Sequence, residues 1–136
     1  MRISHSELVR TSLEKLWNLL LEKVEHPDRT IIEVHEIIVL ERFHDGVLRQ
    51  MKALDMVITE RIVIDESKKE IKFTLIDHPQ YNGYFINRVR ELENKLLELT
   101  YIQDWESKSG TTKQNELEFQ EIIKNAVLKM KKIAER

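Results

Sequence analysis

The sequence predicts an α+β fold in which an antiparallel sheet of six or seven strands is joined to a long C-terminal helix. Three observations lead there. The side-chain pattern is helical near the N-terminus, changes to a two-residue period from Glu33 to Trp105, and returns to helical spacing near residue 114. Within the alternating region the connections HDG, LD, ESKK and ELENK are of hairpin length, so neighbouring strands pair antiparallel. The final segment is the longest helical pattern in the chain, with Phe119, Ile122, Ile123, Ala126, Val127, Met130, Ile133 and Ala134 at helical spacing.

Taken in order, the first element is a short alternating run from Ile3 to Val9, a candidate seventh strand. The segment TSLEKLWNLLLEKV follows. Thr11 stands three residues before Glu14, a capping-box spacing, and Leu13, Leu16, Trp17, Leu20 and Val24 share one face, which predicts a helix over about residues 12–24. His26-Pro27-Asp28 ends it, because proline disfavours helical geometry in the residue before it. Six runs rich in β-branched and aromatic residues then predict strands at 34–43, 47–54, 56–64, 70–77, 82–90 and 96–105. The last helix is expected from about Gln114 to Glu135. Its Lys124, Lys129, Lys131 and Lys132 crowd the end where cations suit the helix dipole and read as a solvated face.

Composition removes several function classes. At 136 residues the chain is long enough for one domain with a substantial core. Its 22 basic and 24 acidic residues are well mixed and sum to a formal charge of −2, which offers no platform for nucleic acid or anionic lipid. With no cysteine there is neither a disulfide framework nor a thiolate nucleophile. The N-terminus MRISHSELVR lacks the apolar stretch of a signal peptide, and no apolar run approaches membrane-spanning length, so the expectation is a cytoplasmic protein without membrane insertion. Glycine-rich phosphate loops and SxxK or GxSxG nucleophile patterns are absent.

The order strand, helix, six strands, long helix, together with LEKLWNLLLEKVEHPDR, VLERFHDGVLRQM, FTLIDHP and the terminal LKMKKIAER, resembles the START/SRPBCC superfamily, the helix-grip fold of the birch-pollen-allergen type. Within it these stretches are similar to a bacterial and fungal subfamily labelled AtaL-like. The resemblance covers essentially the whole chain and implies one ligand-binding domain over residues 1–136. It further implies a curved antiparallel sheet wrapped around the C-terminal helix, with a hydrophobic cavity between them. Superfamily members include lipid carriers, plant hormone receptors, polyketide aromatase/cyclases and chaperone activators, so the fold does not fix the function. No catalytic motif is shared across them.

Turn lengths give an expected register, and the register gives the faces. If Leu54-Asp55 is a two-residue turn, Met51 faces Ile58, Arg49 faces Glu60 and Val47 faces Ile62. A three-residue loop at His44-Asp45-Gly46 would bring Glu41 opposite Arg49, making a row of Glu41, Arg49 and Glu60 across three strands. ESKK sets Ile62 beside Phe73 and Glu60 beside Leu75, while ELENK sets Asn87 beside Leu99 and Phe85 beside Tyr101. All these residues share one face; Lys52, Arg61, Lys72, Arg88 and Arg90 lie on the other. Glu60 therefore interrupts an apolar stripe, Met56, Ile58, Ile62 and Ile64, in the stretch MVITERIVID. Two readings of the charged row stand: it receives the polar end of a ligand, or it sits at a cavity mouth, hydrates freely and satisfies itself.

The expected ligand-binding residues are Glu41, Arg49, Ile58, Glu60, Phe73, Phe85, Asn87, Leu99, Tyr101, Val127 and Met130, with no catalytic residue assigned. The five histidines are scattered without metal-ligand spacing, and His44-Asp45 beside Gly46 reads as a turn rather than a metal motif, so neither metal nor other cofactor is expected. In DHPQYNG, Asp77 and His78 are a candidate dyad, against the reading that Pro79 and Asn82-Gly83 simply shape a loop. The leading function is a binding or carrier domain for a small hydrophobic molecule with a polar head, as a monomer or homodimer. The alternative is a polyketide aromatase/cyclase- or dehydratase-like enzyme using Glu60 or Glu41 as general acid or base. A third class is a protein-interaction module using the basic outer sheet face.

Overall fold

The computed structural model describes residues 1–31, 33–53, 56–110 and 116–136. The elements are β1 (Arg2–Val9), α1 (Leu13–Glu25), β2 (Val34–Phe43), β3 (Gly46–Ala53), β4 (Met56–Asp65), β5 (Glu70–Leu75), β6 (Tyr81–Glu91), β7 (Leu97–Ser107) and α2 (Glu116–Ala134). Among the described residues the seven strands form one antiparallel sheet in the order β1-β7-β6-β5-β4-β3-β2. The run from Ile3 to Val9 is therefore an edge strand, paired with β7. The Leu54-Asp55 turn and the expected helix start at Gln114 lie outside the described residues.

α1 forms because Leu16, Trp17, Leu20 and Val24 recur at helical spacing and bury together. Its cap differs from the expected one: Ser12, not Thr11, is the N-cap, and its hydroxyl accepts from the Lys15 backbone N–H at 3.1 Å. A 3-10 turn at Pro27–Arg29 carries the chain from α1 toward β2. α2 buries Ile123, Val127, Met130 and Ala134 and packs against β1 and β7.

The β3–β4 and β4–β5 registers match expectation: Arg49 faces Glu60, Met51 faces Ile58, Ile62 faces Phe73 and Glu60 faces Leu75. The β2–β3 register is a correction. His44-Asp45 is a two-residue turn pairing Phe43 with Gly46, and Glu41 consequently faces Leu48. Two irregularities then shift the pairing, one beginning at Glu36, in the left-handed region at φ 51°, and one at Leu40, so that Val39 takes the place opposite Arg49. Glu41 is exposed and lies on the register of the outer face, not in an inward row. β6 and β7 are offset by two residues from expectation, because their connection spans Leu92 to Leu96, so Asn87 faces Tyr101, Phe85 faces Gln103 and Gly83 faces Trp105. A shift of two preserves which side chains face inward. Gly83 lies inside β6 rather than in a loop; at φ 135° an added Cβ would fall 2.0 Å from the Asp104 carbonyl oxygen, so this close approach requires glycine.

The buried apolar side chains fall into two clusters. The larger joins α1 and α2 to the sheet through Leu16, Leu20, Ile62, Ile71, Leu99, Ile123 and Val127. The smaller gathers Val34, Met51, Ile58 and Leu75 around Ile31, Tyr81 and Trp105. Replacing Ser12 by Ala should cost about 1 kcal/mol, the usual worth of a helix cap, and Thr11→Ala less than about 0.5 kcal/mol. Urea melts of both variants check this, and the reverse order would restore Thr11 as the cap.

Candidate ligand-binding cavity

A cavity of ≈ 270 Å³ lies between the inner sheet face, the Pro27–Ile31 segment and α2. Met51 and Ile58 line it from β3 and β4, Phe73, Phe85, Tyr101 and Trp105 from β5, β6 and β7, and Ile122, Ile123 and Ala126 from α2. These residues come from both core clusters, so the cavity separates the two rather than hollowing out either. Ile122, 54% exposed, marks where the wall meets solvent. Phe85 sets its ring edge-to-face against Phe73 (6.2 Å) and Tyr101 (5.6 Å), a geometry that fixes the aromatic wall.

Four polar side chains line the same space: Lys23, Arg49, Glu60 and Gln103. Arg49 is 3% exposed. Its Nη2 donates to Glu60 Oε1 at 2.8 Å, and its Nη1 donates to the carbonyl oxygens of Val24 (2.7 Å) and Lys23 (3.2 Å) in the last turn of α1. One guanidinium thus serves a buried carboxylate and the negative end of a helix. Lys23 is 8% exposed; its Nζ donates to the Tyr101 hydroxyl at 3.4 Å and lies over the rings of Tyr101 (4.4 Å) and Phe73 (5.3 Å). Burial, and then the nearby Arg49 charge, bring its ammonium pKa down to about 7, against an opposing pull from Glu60. Burial holds the Tyr101 phenol well above its ordinary range, so it stays protonated.

Of the expected binding residues, Arg49, Ile58, Glu60, Phe73, Phe85 and Tyr101 are brought together on the cavity wall. Leu99, Val127 and Asn87 are fully buried behind it, and Met130 lines a void of only ≈ 30 Å³ beside Lys23 and Tyr101. Glu41 is on the edge strand and takes no part, for the register reason given above. Lys23, Met51, Gln103, Trp105 and Ala126 also line the wall and are not among the expected binding residues, although the register already turns Met51 inward. The signal for Lys23 was present: it lies three residues after Leu20 and seven after Leu16, on the buried stripe of α1.

The other candidates resolve locally. His78 Nδ1 accepts from the backbone N–H groups of Gln80 and Tyr81, and its ring packs near Tyr81 and Trp105, so it shapes the loop before β6. Burial depresses its pKa. Asp77 is exposed. On the outer face Lys52 pairs with Glu36, Arg61 with Asp45 and Arg88 with Glu70, and Lys72 lies over Tyr84, which offsets the basic character expected there. No group of three or more metal-ligating side chains occurs among the described residues, and no described helix is long and apolar enough to cross a membrane.

No protein-family model matches the sequence, nor does any curated relative. Solved structures match in shape. The Zhui aromatase/cyclase from Streptomyces sp. R1128 superposes with a TM-score of 0.79 at 13% identity, covering 100% of this chain and 96% of its own. A START superfamily protein from Mycobacterium smegmatis gives 0.77 at 14%, covering 98% and 97%. The di-domain ARO/CYC BexL from the BE-7585A biosynthetic pathway gives 0.77 at 13%, covering 97% of this chain and 45% of that one. The chain has the helix-grip fold of these START-type proteins.

Two predictions follow from the polar wall. Arg49→Met leaves the Glu60 carboxylate and two helix carbonyls buried without their donor, and should cost roughly 3–5 kcal/mol in denaturant melts, with much of it recovered in Arg49→Met/Glu60→Leu. A cost within about 0.5 kcal/mol would mean the pair is solvated. Lys23 binds fewer protons folded than unfolded between pH 7 and its ordinary 10.5, so stability should rise with pH across that window. Below about 7 both states are charged and the penalty is present in full. Above pH 10 the unfolded chain ionises Tyr101 while the folded protein does not, which opposes the rise. From pH 7 to 10 the net gain should be roughly 2–4 kcal/mol, and Lys23→Met should flatten it. An unchanged pH slope in that variant would contradict a buried, depressed Lys23.

Proposed function

We propose that this protein is a binding or carrier domain for a small, mainly hydrophobic molecule with a polar head, held in the cavity between α2 and the inner sheet face. The carrying observation is the combination of an aromatic and aliphatic wall with four polar side chains, Lys23, Arg49, Glu60 and Gln103, in one cavity that opens to solvent beside Ile122. That is the composition of a ligand pocket, in which apolar area supplies affinity and a few placed polar groups set orientation. A volume of ≈ 270 Å³ suits a ligand of one or two rings or a short acyl chain, just below the ordinary range of about 300–1,000 Å³ for pockets that hold drug-sized molecules. The contact set proposed is Arg49, Ile58, Glu60, Phe73, Phe85 and Tyr101, joined by Lys23, Met51, Gln103 and Trp105.

One observation favours a second reading. Glu60, 7% exposed, presents a carboxylate on the cavity wall, as an aromatase/cyclase- or dehydratase-like enzyme with a general acid or base would need. Native mass spectrometry of the purified protein with identification of any captured small molecule separates the two, since a carrier releases its ligand unchanged.

The pocket itself is tested with the neutral probe N-phenyl-1-naphthylamine. It should bind with one-to-one stoichiometry, and Ala126→Phe, which fills the space from α2, should abolish binding while leaving the circular dichroism spectrum intact. Undiminished binding in Ala126→Phe would remove the cavity from the reading.

A further inference from the structure

Hydrogen-bond donors outnumber acceptors on the polar side of the cavity. Two basic side chains, Lys23 and Arg49, line it against one acidic side chain, Glu60. Glu60 is engaged by Arg49 at 2.8 Å, and Lys23 makes no ion pair with any carboxylate among the described residues. Arg49 Nε, Gln103 Nε2 and Trp105 Nε1, all on wall residues, are buried without an acceptor. Such groups are costly to bury unmet, and native interiors rarely leave them so. Of the seven such atoms among the described residues, these three belong to side chains of this one wall.

We propose that the ligand of this cavity is a small aromatic monoanion, its ring held among Phe73, Phe85 and Tyr101 and its negatively charged oxygen, of carboxylate or phenolate type, received by Lys23 with Gln103 beside it. This deepens the pocket reading and rests on it. A cationic head would meet Arg49 and Lys23. A neutral head would gain no charge pairing from Lys23, and a dianion would find only one basic side chain not already paired. One negative charge balances the wall. The edge-to-face ring arrangement offers flat apolar surfaces to an aromatic guest.

A consequence follows for protons. The groups around Lys23 are Arg49 from β3, Glu60 from β4, Tyr101 from β7 and, across the small adjoining void, Lys129 from α2. With the cavity empty of anion, Lys23 is charged only part of the time near neutral pH, because burial and Arg49 bring its pKa to about 7. An anion beside it favours the ammonium, so the ligand should arrive with a proton taken from solution.

Calorimetric titrations of 2-naphthoate and its neutral isostere 2-naphthamide at pH 8, each in two buffers of different ionisation enthalpy, read both effects. Wild type should bind 2-naphthoate at least about tenfold more tightly than 2-naphthamide, as expected for a desolvated charge pair. Binding of 2-naphthoate should take up as much as ~0.9 proton, the share of Lys23 neutral one pH unit above a pKa near 7. Lys23→Met should lose both the preference and the uptake while still binding 2-naphthamide. Equal affinities, or no proton uptake by wild type, would overturn the anion and leave the pocket standing. If neither naphthalene binds, the anion is also overturned, and failure of N-phenyl-1-naphthylamine as well would take the pocket reading with it. Should Lys23→Met fail to fold, the proton uptake of wild type alone decides.

Discussion

The three hydrogen bonds of Arg49 tie the last turn of α1 to the paired strands β3 and β4. From β3 its guanidinium reaches the last turn of α1 and the carboxylate of β4. The end of a helix carries unsatisfied carbonyls and partial negative charge, and a guanidinium on the neighbouring sheet meets both needs. A lysine would supply the charge but not the planar fork that serves two carbonyls on one nitrogen and a carboxylate on the other. Because Arg49 grips the carbonyls of Lys23 and Val24, it fixes the rotation of α1 about its axis. That rotation turns the Lys23 side chain toward Tyr101 and Phe73 rather than water. The electrostatics of the cavity therefore descend from a capping interaction. This also accounts for the odd carboxylate in MVITERIVID: Glu60 is the counter-charge that permits the buried guanidinium.

The sheet was legible because strand period is two, and a two-residue slip leaves every side chain on its face. The β6–β7 connection is read two residues out of place, yet Phe85, Asn87, Leu99 and Tyr101 are all assigned inward correctly. β2 was not legible for the same reason in reverse. A bulge adds one residue, one residue inverts the faces, and nothing in VHEIIVLERF announces where the extra residues fall. Glu41 is lost from the inner row by a one-residue difference of another kind, at the turn: His44-Asp45 closes in two residues, so Glu41 meets Leu48 instead of Arg49. In α1 the apolar positions were read and the buried lysine among them passed over, although a charge within an apolar stripe is the same signal that singled out Glu60 in β4. The reading of Ser12 against Thr11 fails on smaller grounds: both can cap, and the backbone chooses.

The cavity exists because two apolar clusters fail to merge. A sheet face wide enough to carry Ile62, Ile71 and Leu99 against α1 and α2 at one end and Met51, Ile58 and Leu75 at the other is too large for one helix to cover. Where α2 crosses the gap it offers the small Ala126 between the Ile122–Ile123 pair and the rest of the helix, opposite Phe85, Tyr101 and Trp105. Interiors normally close such gaps at native packing density. Here the gap is bordered by charged and amide groups that an apolar filler would strand, so filling it by mutation of one wall residue would leave donors unmet. The arrangement is self-consistent only with a guest that is apolar over most of its surface and polar at one end.

The placement of protons bears on which chemistry such a cavity could host. General acid–base work needs a group that exchanges its proton near the working pH and stands free to reach the substrate. Glu60 is committed to Arg49, and Tyr101 is held protonated by burial. Lys23 alone combines a position on the wall, a pKa brought down near neutrality and no carboxylate partner among the described residues. A catalytic version of this pocket would therefore run its proton through the lysine rather than the glutamate that first drew attention. For a carrier the same lysine has a different use. A site whose cation is charged only when its anion is present loses less to burial of an unpaired charge while empty, and so keeps a donor-rich cavity compatible with a stable fold.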